Sequence, residues 1–425
     1  MKLFVFVTFC IGPLFSQTIN VDGEWVGVMS FFDATEYRRL TLHQHGSEIS
    51  GTAGDLKLTG TLRASEMALE GKNDGGATAS FTGMVANGEI TGTAKWHGEQ
   101  VKFRAYRPAV PPFVASRHHS FEPTAFQRYF SSAIAPVLHI SPGDTVATWS
   151  VDAGGFDPKN VRGSVGGNPE TGPFYIEGAL PGDTIAVKFT RIRLNRDTAI
   201  SSGRIAATAL NPYYLANLKH PEKYDSNWKL DREANIGRLA NPTDKLKDYK
   251  VPLRPMLGCV GVAPPAKMVY LTGFLGPFGG NMDYNRIREG VTVYLPVFEP
   301  GALLFMGDGH AAQGDGELTG NALETSMDIE FTVDLIRDKS APGPRAEDAD
   351  YLMAMGIGGS LSEALQGSTT SLARWLEQEY GLNPSEIASV FGTAMRYDIA
   401  EVVDPYVNIV ARIRKDALAP LAKSK

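Results

Sequence analysis

Cysteine is nearly absent from this 425-residue sequence, which contains only Cys10 and Cys259. Cys10 falls inside an amino-terminal segment that we predict to be removed, so the mature chain would keep one cysteine and form no internal disulfide. Cys259 has Leu257, Val260 and Val262 as apolar neighbours, which favours a small buried side chain over a nucleophile. A cysteine-based enzyme and a disulfide-stabilised domain are both disfavoured.

Long hydrophobic runs are also missing. Residues 1–16, MKLFVFVTFCIGPLFS, carry Lys2, then an apolar run, then Pro13 and Ser16, and this order predicts a cleaved secretory signal. The run is too short to span a bilayer as a helix, and no later stretch reaches the roughly 18 apolar residues that a span needs. We therefore expect an exported protein, periplasmic or secreted, without a membrane span.

The sequence has no excess of positive charge and lacks two common catalytic motifs. Its formal net charge is -6 and no run of Lys and Arg stands out, so nucleic acid is not an expected partner. Neither a G-x-S-x-G nucleophile elbow nor a G-x-x-x-x-G-K phosphate loop occurs. If the protein is an enzyme, these absences favour a water activated by a metal ion as the nucleophile.

Turn residues, in contrast, are abundant. The 45 glycines and 26 prolines, with 43% hydrophobic and 21% charged residues, are typical of a globular protein with many short strands. Residues 17–108 contain six short segments of alternating polar and apolar residues, from GEWVGVMSF to VKFRAYR. These segments predict a small antiparallel β-barrel or sandwich. Pro108, Pro111 and Pro112 predict a linker after it.

The longer part of the chain, residues 109–425, contains further alternating segments. They are TVATWSVDA from Thr145, TIAVKFTRIRL from Thr184, VTVYLPVF from Val291 and SMDIEFTVDLI from Ser326. No long helical pattern separates them. This order predicts a mainly β body of sandwich or jelly-roll type and disfavours a doubly wound sheet.

Two regions depart from that pattern. Between Leu210 and Leu253 charges are frequent and the alternation weakens, which predicts a long insertion that either covers an active site or contacts a second subunit. From about Ala346 the sequence predicts helices. SLSE from Ser360 and NPSE from Asn383 are helix-capping patterns, and apolar residues follow each at helical spacing.

The densest group of potential metal ligands is the stretch GDGHAAQGDGE, residues 307–317. It contains Asp308, His310, Asp315 and Glu317, separated by glycines that permit left-handed backbone angles or close approach to a ligand. Imidazole together with carboxylates suits zinc or a similar divalent ion. A solvated turn rich in Gly and Asp is the alternative. We interpret the stretch as a metal-binding loop.

Two further acidic residues have glycine neighbours. Asp283 ends the segment GGNMD, and Asp152 lies in VDAGG at the end of a predicted strand. Taken alone, each of them fits an Asx turn as well as it fits a functional site. Together with the central loop, they predict that three separated stretches of the chain converge on one pocket.

Four stretches of the sequence resemble the acetamidase/formamidase family. They are GDGHAAQGDGE, GPFGGNMD, ETGPFYIEGALPGDT and RPMLGCVGVAPP, and the resemblance runs from about Phe121 to Val410. It implies a β-sandwich core, a metal-dependent site, frequent dimers or higher oligomers, and hydrolysis of short linear amides such as formamide and acetamide to ammonia and the acid. The amino-terminal β-domain and the export signal are not part of the family pattern, since typical members are cytoplasmic.

The resemblance also implies roles for individual residues. The candidate metal ligands are Asp283 and His310 with Asp315 or Glu317, and the further candidates are Asp152 and Asp308. Three protein ligands would hold a divalent ion, which we expect to be zinc, and would leave one position open for water. The candidate catalytic residues are Glu177 or Glu317 as the base and Asn281, with backbone N–H groups near Gly279 and Gly280, for the oxyanion.

A second functional class stays open at this point. The chain could be a secreted, non-catalytic binding protein that holds carbohydrate or cell-wall polymer through its amino-terminal β-domain. An intact GDGHAAQGDGE loop favours the enzyme, because a binding protein has no use for that chemistry. Ammonia release from a small amide separates the two hypotheses.

Overall fold

The computed structural model describes residues 19–32, 34–108, 115–220 and 223–421. The predicted signal, residues 1–16, and the prolines Pro111 and Pro112 of the predicted linker lie outside the described residues. The chain divides into two compact units. The first comprises Met1–Phe32 and Arg38–Pro108, and the second comprises Asp33–Tyr37 and Ala109–Lys425.

The first unit is a closed antiparallel barrel. Its strands are β1 (Gly23–Phe31), β2 (Ala34–His45), β3 (Glu48–Ala53), β4 (Leu56–Arg63), β5 (Glu66–Lys72), β6 (Thr78–Ala86), β7 (Glu89–Trp96) and β8 (Glu99–Tyr106). Each strand follows its neighbour in sequence, and β1 pairs with β8 to close the barrel. The sequence predicted a barrel or a sandwich, but it did not reveal β3 and β5, whose short EISGTA and EMALEGK segments contain few large apolar residues.

The interior of the barrel is filled by side chains. Trp25, Phe81 and Phe103 are buried there, and the ring centroids of Phe81 and Phe103 lie 5.1 Å apart. An eight-stranded barrel is just wide enough for such a core, or for one small ligand when the core is missing. The barrel is therefore a packed core and not a ligand cup.

The second unit begins with three short strands and continues as a mainly β body. The remaining strands are β9 (His118–Ser120), β10 (Tyr129–Phe130), β11 (Leu138–Ile140), β12 (Thr145–Ser150), β13 (Thr171–Ile176), β14 (Thr184–Leu194), β15 (Thr198–Ile200), β16 (Asn227–Asp231), β17 (Ile236–Leu239), β18 (Val251–Pro252), β19 (Met256–Val262), β20 (Tyr270–Leu271), β21 (Leu275–Gly276), β22 (Gly279–Asn281), β23 (Thr292–Pro296), β24 (Leu304–His310), β25 (Met327–Ile336), β26 (Arg345–Glu347), β27 (Tyr351–Gly358), β28 (Arg396–Glu401) and β29 (Val407–Arg414). The helices of the described residues are α1 (Pro212–Asn217), α2 (Leu361–Tyr380), α3 (Pro384–Ala394) and α4 (Lys415–Leu418).

Two sheets of this unit form a sandwich. One has the strand order β11-β13-β24-β19-β22-β21, and the other has the order β28-β29-β27-β26-β23-β14-β25-β12-β9. Both contribute to one hydrophobic core, in which the rings of Phe174 from β13 and Phe331 from β25 meet with centroids 5.3 Å apart. The predicted β-sandwich body is confirmed.

The predicted insertion is a small sheet of its own. Strands β15, β16, β17 and β18 pair in that order. Trp228 and Leu253 of this region share a hydrophobic cluster with Ala311 and Leu323. The insertion therefore packs against the segment that directly follows His310.

The prediction of helices in the carboxy-terminal part is confirmed by α2, α3 and α4, but the residues of that part are not helical throughout. Strands β26 and β27 precede α2, and β28 and β29 follow α3. The strand segments YLMAMGIG and VNIVARIR are nearly continuous apolar runs, and periodicity alone does not separate such runs from buried helices. Both predicted caps are present, because Ser360 accepts a hydrogen bond from the Glu363 backbone N–H and Asn383 forms a capping box with Glu386. The helices of the described chain are too short or too polar to cross a membrane.

Candidate metal centre

Three neighbouring strands align the residues of the candidate site. In the six-stranded sheet, β19 lies between β22 and β24. Cys259 of β19 is opposite Asn281 of β22 on one side and Gly307 of β24 on the other. The ends of β22 and β24 therefore carry Asp283 and His310 to the same edge of the sheet.

Two groups of three buried side chains at this edge could hold a metal ion. They are Asp283, His310 and Glu317, and Asp308, His310 and Glu324, with the potential ligand atoms of each group within 4.8 Å of one another. His310 Nε2 lies 3.2 Å from Glu324 Oε2, 3.4 Å from Asp308 Oδ2 and 3.9 Å from Asp283 Oδ1. The two groups share His310 and together form one acidic cluster.

A small space lies where these side chains converge. A Cβ atom at Gly258 of β19 would lie 2.6 Å from Asp308 Oδ2, 3.0 Å from His310 Cε1 and closer still to Asp283 Oδ1. Among the described residues, Asp283 Oδ1, Asp308 Oδ1, His310 Nε2 and Glu324 Oε2 are buried polar atoms without a hydrogen-bond partner. Buried polar atoms are nearly always satisfied in proteins. Buried acceptor atoms that surround one histidine and lack a donor fit a bound cation.

Hydrogen bonds fix the orientation of the His310 ring. Gln313 Nε2 donates to the carbonyl of Ala400 at 3.3 Å and to that of Asp283 at 2.5 Å. Gln313 Oε1 is therefore the acceptor for His310 Nδ1, at 2.9 Å. In the neutral ring this leaves the lone pair on Nε2, which faces the carboxylates, as in histidines that bind metals.

The protonation of the cluster reflects crowded negative charge. Burial first, and the neighbouring carboxylates second, raise the pKa of Asp283 well above its usual value. Burial likewise raises the pKa of Glu317, and that of Glu324 to about 7. Burial opposes ionisation of His310, yet the charges of Glu324 and Asp308 raise its pKa. A divalent cation at this place would relieve the repulsion among the acids.

Three of the acidic residues have an unusual backbone conformation. Asp283, Asp308 and Glu317 have φ angles of 43°, 52° and 44°. This left-handed region is uncommon for residues other than glycine, although Asp enters it more easily than Glu. The backbone at these points adopts a costly conformation that directs the carboxylates inward.

Asn281 connects several acids of the cluster. Its Nδ2 donates to Asp283 Oδ2 at 2.6 Å and to Asp404 Oδ2 at 2.8 Å. Its Oδ1 accepts from Asn168 Nδ2, which also donates to Asp308 Oδ2 at 3.1 Å. Both amide hydrogens of Asn281 are thus engaged by carboxylates.

Asp152 and Asp315, two of the predicted ligands, do not join the cluster. Asp152 is buried in an ion pair with Arg196, with 2.5 Å between Oδ2 and Nη2. Its other oxygen accepts from the backbone N–H of Phe156 at 2.9 Å, so Asp152 is already satisfied. Asp315 is exposed and accepts from Asn285 Nδ2 at 2.7 Å. The glycine neighbours of these two residues shape turns.

The predicted base Glu177 also lies apart from the cluster. It is 40% exposed and pairs with His139 Nδ1 at 2.8 Å. Glu177 directly follows β13. Glu170, which directly precedes β13, approaches the site instead, because a Cβ at Gly307 would lie 2.6 Å from its Oε2. Seven residues of extended chain, about 23 Å, separate the two glutamates.

Three acids near the site, Glu324, Asp404 and Glu170, were not predicted from the sequence. The backbone of Glu324 forms isolated β-bridges with Ile200 and with His310. These bridges bring the Glu324 side chain to the cluster. Its Oε1 accepts from the Ala322 backbone N–H at 2.8 Å, which leaves Oε2 for the cluster. No local pattern distinguishes Glu324 or Asp404 in the sequence. Glu170 had a signal, since it begins the family-like stretch ETGPFYIEG.

A cavity opens onto the cluster. Its volume is about 230 Å³, and Asp308, Glu317, Glu324 and Asp404 line it together with apolar Phe274. Pockets for drug-sized ligands occupy roughly 300–1,000 Å³. This cavity suits a smaller molecule.

The family model described as Acetamidase/Formamidase family matches residues 277–355. A formamidase of Methylophilus methylotrophus is 43% identical over 61 residues, which is 14% of this chain and 15% of that protein. An acetamidase of Mycolicibacterium smegmatis is 43% identical over 60 residues, again 14% and 15% of the two chains. The sequence matches thus span about 15% of the curated relatives.

Solved structures match over a much greater length. A predicted acetamidase/formamidase from Thermoanaerobacter tengcongensis aligns with a TM-score of 0.62 and 25% identity, covering 72% of this chain and 99% of that one. An acetamidase from Yersinia enterocolitica aligns with a TM-score of 0.61 and 27% identity, covering 71% and 93%. The local sequence matches and the long structural matches together confirm that this chain resembles the acetamidase/formamidase family.

Proposed function

We propose that this protein is an amidase that hydrolyses short linear amides, such as formamide and acetamide, to ammonia and the carboxylic acid. The observation that carries the proposal is the buried cluster of acids around His310, in which Asp283 Oδ1 and Glu324 Oε2 have no hydrogen-bond donor. The relatives named formamidase and acetamidase support the same reaction class.

The donor set of the cluster fits a divalent cation, for which we propose zinc. Asp283, His310 and Glu317, or Asp308, His310 and Glu324, would hold it. One imidazole with carboxylates is a ligand set that zinc accepts, and three protein ligands leave a position for water or substrate. When bound, such an ion supplies Lewis-acid chemistry, which lowers the pKa of water and polarises an amide carbonyl.

The protein side chains would divide the remaining tasks. Glu324 lines the cavity, and its Oε2 lies 3.2 Å from His310 Nε2. If Asp283, His310 and Glu317 hold the ion, Glu324 is placed to take a proton from the attacking water. It would return that proton to the nitrogen as the carbon–nitrogen bond breaks. Asn281, which we predicted to be an oxyanion donor, instead uses both amide hydrogens to hold Asp283 and Asp404 in place.

The alternative function, carbohydrate binding by the amino-terminal unit, has weaker support. The filled interior of the barrel leaves no cup for a ligand. Such a ligand would have to bind an outer face of the barrel. The buried acidic cluster of the second unit would then have no role.

An ammonia-release assay tests the proposed function. The purified protein should release ammonia from formamide, acetamide or propionamide, lose the activity after dialysis against a chelator, and regain it with zinc. His310→Ala should lose bound metal and at least about 100-fold in rate, since a ligand is removed. His139→Ala, which changes an exposed histidine, is the matched control. Turnover that survives complete metal removal would exclude the metal, and no release from any amide would exclude the amidase.

A further inference from the structure

A positively charged side chain lines the same cavity as the acidic cluster. Arg128 directly precedes β10, and its carbonyl accepts from the backbone N–H of Thr272 beside β20 at 3.1 Å. Arg128, Gly167 and Leu271 line the cavity together with Asp308 and Glu324. Arg128 therefore occupies the cavity wall by virtue of the β10–β20 pairing.

Gly167 makes room for the guanidinium group of Arg128. A Cβ atom at Gly167 would lie 3.2 Å from Arg128 Nη2 and 3.6 Å from its Nε. Gly167 has a φ of 101°, which favours glycine, and its carbonyl accepts from Thr272 Oγ1 at 3.1 Å. The guanidinium group thus rests against a fixed segment of backbone whose next residue, Asn168, donates to Asp308.

Arg128 has no acidic partner within the described chain. Its Nε is buried without a hydrogen bond, and no carboxylate of the described residues forms an ion pair with the guanidinium group. Arg196 and Arg193 of this unit, in contrast, pair with Asp152 and Glu289. An unpaired, partly buried guanidinium that faces a cavity is suited to bind a planar anion, because its parallel N–H groups match a carboxylate.

We propose that the preferred substrate is an amide that also carries a carboxylate, such as the monoamide of a dicarboxylic acid with three or four carbons. This inference rests on the proposed amidase function. The substrate carboxylate binds Arg128 while its amide group faces the buried cluster. The carbon chain of the substrate must be short. Gly167, which lies against the guanidinium group, is followed directly by Asn168, and Asn168 donates to Asp308 of the cluster.

The size of the cavity agrees with such a substrate. The cavity of about 230 Å³ is smaller than the roughly 300–1,000 Å³ of pockets for drug-sized ligands and suits a compound of three or four carbons. Malonamate and succinamate have that size. The acids of the cluster repel an anionic substrate, and Arg128 supplies the opposite charge at the wall of the cavity. A neutral amide leaves the guanidinium group without a carboxylate partner.

The test compares initial rates for two substrates of nearly equal shape, one with a carboxylate and one with a second amide group in its place, and counts the rate of the second per amide group. Ammonia release is measured for succinamate and for succinamide, in which an amide replaces the carboxylate, with the wild-type protein and with Arg128→Gln and Arg128→Lys. The Gln variant should lower the ratio of kcat/KM for succinamate to that for succinamide about 10- to 100-fold, the range expected when a charged hydrogen-bonded pair is lost. The Lys variant keeps the positive charge but lacks the planar fork of guanidinium N–H donors, so its ratio should lie between those of the wild type and the Gln variant.

A matched control and a binding measurement complete the design. Arg63→Gln removes the same charge from an exposed position of the barrel and should leave the substrate ratio unchanged. Calorimetric titration with succinate reports carboxylate binding without turnover, and Arg128→Gln should weaken it by a similar factor.

Each result has a distinct meaning. Equal losses for both substrates would overturn the specificity role, because Arg128 would then act on the reacting carbonyl. A wild-type protein that prefers succinamide would overturn it as well. If succinate binding depends on Arg128 but no amide releases ammonia, the carboxylate site stands and the proposed amidase function fails.

Discussion

One methyl group added at Gly258 should abolish metal binding. With the Cβ in place, Asp308 Oδ2 would have to retreat by about 0.8 Å, and Asp283 Oδ1 by more, to reach ordinary contact at 3.4 Å. Metal–ligand distances tolerate about 0.2 Å. A displacement near 1 Å in an active site costs about 100-fold in rate. We therefore expect Gly258→Ala to lose at least that factor in amide hydrolysis and most of its affinity for zinc.

The loss should be local. Gly258 lies in β19 with a φ outside the left-handed region, so alanine fits the backbone there. Zinc per chain, zinc affinity, ammonia release and the thermal midpoint are measured for Gly258→Ala and for Gly314→Ala. A Cβ at Gly314, in the loop between His310 and Glu317, meets no atom within 4 Å, which makes Gly314→Ala the control. If Gly258→Ala keeps wild-type zinc and rate, the metal does not bind where Asp283, Asp308 and His310 converge.

Three further substitutions test stability. Burial raises the pKa of Glu299 from 4.5 to about 7, so the folded state holds more protons than the unfolded chain in that window and stability falls as pH rises. In urea unfolding, the unfolding free energy of Glu299→Gln should match that of the wild type near pH 4 and exceed it by up to about 3 kcal/mol at pH 8; equal pH dependence of the two proteins would refute this. Arg196→Met leaves Asp152 buried and unpaired and should lower the unfolding free energy by about 3–5 kcal/mol; an unchanged midpoint would show that the pair is solvated. Gly392→Ala in α3, where a Cβ meets open space, should raise the unfolding free energy by about 0.5–1 kcal/mol. A lower unfolding free energy would indicate that the helix needs glycine there.

Alternation in the sequence predicted the architecture because it reports which face of a strand is buried. Segments such as SMDIEFTVDLI, which forms β25, have one buried and one partly exposed face and were recognised. Segments such as YLMAMGIG of β27 are buried almost throughout, so the alternation of polar and apolar residues disappears from the sequence. The helical prediction before Leu361 failed for that reason.

The candidate site was only partly predictable. Glycine neighbours mark places where the backbone bends, and they pointed to Asp283, Asp308 and Glu317, whose φ angles are indeed positive. They do not report where a side chain ends, so Asp315 was grouped with its loop although it is exposed. Glu324 reaches the cluster through long-range bridges to two other strands, and a single sequence contains no record of such pairing.

The left-handed conformations of Asp283, Asp308 and Glu317 lower the stability of the second unit. Each costs on the order of 1 kcal/mol relative to glycine at the same position, or about 3 kcal/mol together, a sizeable fraction of the 5–15 kcal/mol that stabilises a typical domain. Mutation to glycine is available at each position and would relax the backbone. Replacing any one of the three by glycine should therefore stabilise the fold and remove a carboxylate from the cluster, so the left-handed acids place negative charge at the expense of stability.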